Sequence, residues 1–259
     1  MGPPSINNLG QVSFHSSRDA GGNGVFRGVG VPVSPVNIAL TGATYSGFGR
    51  NTANNESGQV AFRAGIVSGG DALLIGNGIS TITVATTSGP FFAFDALSIN
   101  DSGQVAFSAM NDDGSFGVYF YNGSTISTIA TTSSYSRFGS VNLSNSGMVA
   151  FYAEVANSID QGIFFGPNPA INKLIRVGDN LDGGIVGNIA FSPFGLNNNN
   201  QFAFTASVGS GTGIYLATAV PEPVTIALVF LIAAGAGAAC WRTRAIFHRM
   251  IHQEVELPE

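Results

Sequence analysis

The sequence predicts an all-β fold. Four to five four-stranded repeats form a β-propeller-like body, followed by one C-terminal transmembrane helix. Three observations predict this. A turn-plus-strand unit recurs five times, its fourth position falling at Gly10, Gly58, Gly103, Gly147 and Asn200, at intervals of 48, 45, 44 and 53 residues. Before residue 224 no stretch carries apolar residues at helical spacing, whereas short alternating runs bounded by Gly, Asn and Ser recur throughout. Residues 224–241 form an apolar run whose only polar side chain is Thr225. As a helix that run would be about 27 Å long, just enough for a hydrocarbon core of about 30 Å.

The first element of each repeat is a turn leading into a strand. It reads Asn7-Asn8-Leu9-Gly10-Gln11-Val12-Ser13-Phe14, then Asn55-Glu56-Ser57-Gly58-Gln59-Val60-Ala61-Phe62, then Asn100-Asp101-Ser102-Gly103-Gln104-Val105-Ala106-Phe107. Two altered copies follow, Ser144 to Phe151 (with Gly147) and Asn197 to Phe204 (with Asn200). Asn suits the first position of a type I turn, and Gly the fourth, where φ is positive in a hairpin with a Gly bulge. Asn200 fits the same place, because Asn tolerates the left-handed region better than most side chains. After the turn the residues alternate. A small Ala next to each Phe predicts a strand covered on both faces, with room for a ring on only one. Phe14, Phe62, Phe107, Phe151 and Phe204 are therefore expected at equivalent buried positions.

Three further runs complete each repeat. A Gly-led run contains Gly24 to Phe26, Gly117 to Phe120, Gly162 to Phe165 and Gly213 to Leu216, with Asp71 to Ile75 standing in for it in the second repeat. A β-branched run follows at Val36 to Leu40, Ile79 to Ala85, Ile126 to Ala130 and Ile171 to Val177. An aromatic run precedes the next turn at Tyr45 to Gly49, Phe91 to Phe94 and Tyr135 to Gly139, and Ile189 to Gly195 is its counterpart before the fifth turn. Four short strands in about 45 residues is the size of a propeller blade. The fifth repeat offers only two strands before the anchor, so an open arc or a β-solenoid stands beside a closed ring. The repeat resembles the NxxGxxAF tandem-repeat ("choice-of-anchor") family over residues 6–218, and members of that family often carry a variable C-terminal anchor. Because the chain opens inside a repeat with no apolar leader, the β-repeat domain, 1–218, is expected to be truncated at its N-terminus.

The C-terminal segment has three parts in order. Val220, Pro221, Glu222 and Pro223 come first, the apolar run 224–241 second, and Arg242 and Arg244 third. Basic residues tend to remain on the cytoplasmic side, which puts the body outside. The order resembles the PEP-CTERM sorting signal of bacterial exosortase substrates. The resemblance implies a signal over 219–244, a membrane-bound exosortase-type protease or transpeptidase as partner, and a cytoplasmic tail over 245–259. An ordinary membrane anchor is the plainer reading of the same residues.

Composition agrees with an outside location. Only 10% of residues are charged, Lys173 is the sole lysine, and the net charge is −5. That balance argues against nucleic acid, which needs a clustered basic surface. The only cysteine, Cys240, lies in the apolar run, so no intrachain disulfide can form.

No catalytic set emerges. The sequence has no Gly-x-Ser-x-Gly elbow, no Gly-x-Gly-x-x-Gly and no phosphate-binding loop. His248 and His252 have a zinc-like spacing, but Arg249 stands where a metalloprotease places Glu. His15 reads as a surface residue. Asn111-Asp112-Asp113-Gly114 offers oxygens that Ca²⁺ could use, but reads first as a hairpin turn; no other cofactor is expected. Asp179 and Asp182 belong to a Gly-Asp loop like those of the repeat family. Asn55, Asn100, Asn122 and Asn142 begin Asn-x-Ser triplets that turn chemistry explains first. The favoured expectation is a non-enzymatic surface or matrix protein whose repeats bind partners, extracellular polysaccharide among them. The alternative is a propeller-type hydrolase or lyase acting on such a polysaccharide.

Overall fold

A computed structural model describes residues 3–30, 34–158, 160–221 and 243–249. Every regular element among them is a β-strand. The first sheet holds β1 (Ser5–Ile6), β2 (Val12–Ser17), β3 (Asn23–Gly28) and β4 (Val36–Leu40), in that order. The second holds β5 (Tyr45–Asn54), β6 (Val60–Ile66), β7 (Asp71–Gly76) and β8 (Thr81–Thr86). The third holds β9 (Phe91–Ile99), β10 (Val105–Asn111), β11 (Phe116–Tyr121) and β12 (Ile126–Thr131). The fourth holds β13 (Tyr135–Leu143), β14 (Val149–Val155), β15 (Gln161–Phe164) and β16 (Lys173–Arg176). The fifth holds β17 (Asn180–Leu181), β18 (Gly184–Leu196), β19 (Gln201–Val208), β20 (Gly211–Pro221) and β21 (Thr243–Arg249).

Each sheet is an antiparallel meander, as in a propeller blade. The aromatic run that ends one sequence repeat pairs across the Asn turn with the strand that begins the next, as Asn54 with Val60 and Ile99 with Val105. The blade is therefore out of phase with the sequence repeat by one strand. The two strands counted for the fifth unit are β19 and β20; β18, the last run of the fourth repeat, joins them in the fifth blade, and β21 pairs with β20 from Tyr215↔Arg249 to Pro221↔Thr243. β20 also runs three residues past the expected domain end at 218.

The first strands are longer than the aromatic runs alone suggest. Each continues to the turn through a break in register, between Phe48 and Thr52 in β5, Phe138 and Val141 in β13, and Phe191 and Leu196 in β18. Successive blades pack through these strands: β5 against β2 and β3, β9 against β5 and β6, β13 against β9 and β10, β18 against β13.

The core lies between blades. Val60 and Phe62 of the second blade join Val25 and Ile38 of the first. Phe107 joins Ala61 and Leu73 of the blade before it, Phe151 joins Ala106 and Val118, and Phe202 and Phe204 join Ala150 and Ile163. The Phe face of each blade thus seats on the Ala face of its predecessor, as the Ala-Phe pairing predicts. Phe62, Phe107 and Phe151 are fully buried, each such burial stabilising by roughly 1.5–3 kcal/mol. The ends break the pattern. Phe14 and Ala203 are half-buried, each on the outward face of an end blade. The expectation of equal burial thus fails at Phe14, whose ring no neighbouring blade among the described residues covers.

Candidate functional site

The repeated turns come together around the inner strands. Within each complete turn, the first-position Asn and the fifth-position Gln form a clasp. Asn55 Oδ1 accepts from Gln59 N (2.9 Å), and Asn55 Nδ2 donates to Gln59 Oε1 (2.8 Å). The same pair of bonds joins Asn7 with Gln11, Asn100 with Gln104, and Asn197 with Gln201. The fourth-position N–H donates to the first-position carbonyl, which closes the type I turn. Gly10, Gly58, Gly103 and Gly147 have φ of 72°, 76°, 72° and 83°, and Asn200 has 56°. The sequence reading of the turn holds at all five positions.

An amide has two protons to donate. At Asn7, Asn55 and Asn100 the second proton leaves its own blade. Asn7 Nδ2 donates to Asn55 O (2.8 Å), Asn55 Nδ2 to Asn100 O (2.8 Å) and Asn100 Nδ2 to Ser144 O (3.1 Å). A second series joins the next position. Asn8 bonds Glu56, Glu56 N donates to Asp101 Oδ1 (2.8 Å), Asp101 N to Asn145 Oδ1 (2.9 Å) and Asn145 N to Asn198 Oδ1 (3.2 Å). Two parallel ladders therefore tie the turns in chain order.

The fourth turn differs in a way that accounts for its sequence. Ser144 has no amide, so it needs no Gln, and Met148 occupies that place. Ser144 Oγ still accepts from Met148 N (3.3 Å). The bond it cannot send to the fifth blade is replaced from two residues earlier, at the end of β13, where Asn142 Nδ2 donates to Ser192 O (3.1 Å). The roles of Gln59 and Asn142 are not legible from either residue alone. The paired change to Ser144 and Met148 was the available signal.

Residues from all five first strands and turns line a cavity of about 280 Å³. Its lining is amide-rich, with Glu56 and Asp101 as the charged groups, and it contains no His, Cys, Lys, Arg or Tyr. Both oxygens of Asp101 accept bonds, from Glu56 N and Asn145 Nδ2. Asn55 and Asn100 are buried with their amides fully used. These groups are committed to the scaffold, and the lining offers hydrogen bonds without a nucleophile–base pair.

Other predicted groups fall elsewhere. In the Asn111 to Gly114 hairpin, Asp113 Oδ1 accepts from Ser115 N (2.9 Å) and Oγ (2.6 Å), and Asn111 Oδ1 accepts from Tyr119 (2.8 Å). Those Ser115 bonds hold the Asp113 carboxyl below its ordinary range. Among the described residues no three His, Cys, Asp or Glu side chains cluster to hold a metal. In the Gly-Asp loop, Asp179 takes Lys173 Nζ and Arg176 N, tying the loop to its own strand. Of the triplet asparagines, Asn55, Asn100 and Asn142 are buried and Asn122 is exposed. His15 is not the free surface residue expected. Both ring nitrogens are shielded and without hydrogen-bond partners, and its ring lies 6.4 Å from that of Phe48. Burial first, then nearby positive charge including Arg50, lowers its pKa.

Val220 and Pro221 end β20, opposite Arg244 and Thr243 of β21. Glu222, Pro223, Arg242, the apolar run 224–241 and His252 lie outside the described residues. Among the described residues no helix is long and apolar enough to cross a membrane.

No protein-family model matches the chain. No curated protein matches it either. Solved structures do. TolB from Acinetobacter baumannii matches with a TM-score of 0.51 at 11% identity, over 82% of this chain and 50% of that one. An acylaminoacyl peptidase from Pyrococcus horikoshii matches with a TM-score of 0.50 at 10% identity, over 82% of this chain and 36% of that one. The β-propeller domain of the Trilobed protease from Pyrococcus furiosus gives a TM-score of 0.38 at 8% identity, over 82% and 80%. The chain thus spans half the length of TolB and about a third of the peptidase. At these identities the similarity concerns the fold alone, which is β-propeller-like.

Proposed function

We propose that this protein is a non-enzymatic scaffold displayed outside the cell, sorted by an exosortase through Val220 to Pro223, and built to bind extracellular polymer. One observation carries the scaffold reading. The side chains that define the repeat are spent on joining blades, since both amide protons of Asn55 and of Asn100 are used within the protein. The 10% charge content and the −5 net charge suit an exported, polymer-facing surface. Support for sorting comes from the order of the C-terminal parts, a Pro-Glu-Pro segment, an apolar run and two arginines. The NxxGxxAF and PEP-CTERM resemblances belong to this same proposal.

In the anchored form a helix over 224–241 would separate its two ends by about 27 Å. The β20–β21 pairing instead brings Pro221 beside Thr243. One molecule cannot hold both arrangements. Membrane insertion therefore strips β21 from the fifth blade, and cleavage after the Pro-Glu-Pro segment removes it.

The test is expression in a host that has an exosortase, with an export signal supplied, followed by mass spectrometry of the surface fraction. The mature body is expected to lack residues from about 224 onward. Peptides 245–259 still joined to the repeats in mature protein would make the segment a permanent anchor. Release of sugars from extracellular polysaccharide by the purified body would favour a hydrolase or lyase instead.

A further inference from the structure

Blade three breaks the repeat in one place where chemistry could enter. The aromatic residue that begins the first strand is Tyr45, Phe91 and Tyr135 in blades two, three and four, paired with Ile66, Asn111 and Val155. In blade two the Tyr45 hydroxyl reaches Thr81 Oγ1 (3.4 Å) at the start of the outer strand. In blade four the Tyr135 hydroxyl donates to Gly166 O (2.8 Å). Blade three has no such bridge. Phe91 replaces the tyrosine, and Ile126, opposite Tyr121 as Thr81 is opposite Gly76, replaces the threonine.

The gap is a concavity of about 640 Å³, within the range of roughly 300–1,000 Å³ usual for small-ligand sites. Its apolar lining comes from Phe91, Tyr119 and Ile126, and its acidic lining from Asp112 and Asp113. Tyr119 stands where blade two has Leu74, and its hydroxyl is turned aside to Asn111 Oδ1 (2.8 Å). No Lys or Arg lines the concavity. The carboxylate of Asp112 is exposed and makes no hydrogen bond, while its backbone N–H is held by Pro90 O (3.1 Å).

We propose that this concavity binds one uncharged pyranose unit of a glycan chain. A pyranose offers an apolar C–H face to Ile126 and to the small part of Phe91 and Tyr119 that stays exposed, and hydroxyl donors to the Asp112 carboxylate and to Asp113 Oδ2, Oδ1 being held by Ser115. Hydrogen bonds to an ionised acceptor are shorter and stronger than neutral ones. The two uncompensated negative charges repel uronate units, so the site discriminates by charge. This inference rests on the polymer-binding scaffold reading and gives that reading an address.

The test is affinity electrophoresis of the full chain in detergent, through gels carrying a neutral β-glucan or polygalacturonate. The double variant Phe91→Tyr with Ile126→Thr rebuilds the bridge of blade two, so it should fold and fill the gap. Asp112→Asn keeps the shape and removes one charge. The wild type should be retarded by the glucan and not by polygalacturonate. The double variant should bind the glucan at least tenfold more weakly with its unfolding midpoint unchanged, and Asp112→Asn should bind it more weakly too. Equal retardation of the folded double variant and the wild type would overturn the site and leave the scaffold reading standing. No retardation of the wild type by either polymer would overturn both, and preference for polygalacturonate would overturn the charge argument.

Discussion

The side-chain amide of Asn55 donates to the carbonyl of Asn100, 2.8 Å away and 45 residues further along the chain. The same amide holds Gln59 of its own turn. A single residue type thereby closes a hairpin and fixes the next blade's position. This explains why the motif recurs while the strands around it vary. The carbonyls of Asn55, Asn100 and Ser144 already accept the fourth-position N–H of their own turns, and the amide from the preceding blade adds a second bond, a net gain of about 0.5–1.5 kcal/mol each.

Gly58 should discriminate between side chains by backbone conformation. Its φ is +76°, and a Cβ there would meet the Arg27 guanidinium, which must swing away for any substitution. Gly58→Val should cost roughly 1–3 kcal/mol more than Gly58→Asn, because Asn is better tolerated in the left-handed region. Asn200, at +56°, is the chain's own precedent. Denaturant titration measures both, and equal losses would contradict the turn assignment.

Phe107 and Phe14 hold equivalent places with unequal neighbours. Phe107 is fully buried against the second blade, and Phe14 is half-buried at the open face of the first. Phe107→Ala should cost about 3–5 kcal/mol, and Phe14→Ala clearly less. Chemical denaturation checks the ranking, and equal costs would mean that Phe14 is covered in solution.

His15 makes stability depend on pH. Its folded-state pKa is lowered, chiefly by burial. The neutral ring is the form the fold accepts, so its contribution is complete above the ordinary His pKa of about 6.5 and is lost as pH falls below that value. Between about pH 7.5 and 5 the unfolding midpoint of the wild type should fall further than that of His15→Phe. Parallel pH curves would remove His15 as the cause.

The pairing of β20 with β21 predicts a state-dependent cross-link. Ala219 and Ala245 are register partners. Cysteines at those two positions, with Cys240 changed to Ser, should form a disulfide in protein kept from membranes and fail to do so once the segment is inserted in a bilayer. A disulfide that forms equally in the inserted protein would contradict a spanning helix.

Much of this fold could be read from local chemistry. The Gly58 and Asn200 turns are legible because a positive φ selects few residues, and the Ala61–Phe62 pair announces a strand with two unlike neighbours. What could not be read was relational. The blade boundary depends on which hairpin pairs, and neither Tyr45 to Gly49 nor Val60 to Phe62 states that they share a sheet. The second donor of Asn55 is satisfied 45 residues away, a contact no local pattern encodes. The gap at Phe91 emerges only when its missing hydroxyl is compared with those of Tyr45 and Tyr135.

The central claim is that the repeated Asn clasps the Gln of its own turn and ties that turn to the next blade, and is not a ligand-binding group. A double-mutant cycle on Asn55 and Gln59 tests it most directly, since Ser144 with Met148 is the chain's own version of the exchange. Asn55→Ser alone strands Gln59 Oε1 and leaves Asn100 O with only the Gly103 N–H of its own turn, and should cost about 2–3 kcal/mol, and Gln59→Met alone about 1 kcal/mol. Together they should cost about 1 kcal/mol less than the sum, because the clasp is lost only once. Strictly additive costs, or a near-neutral Asn55→Ser, would contradict the clasp.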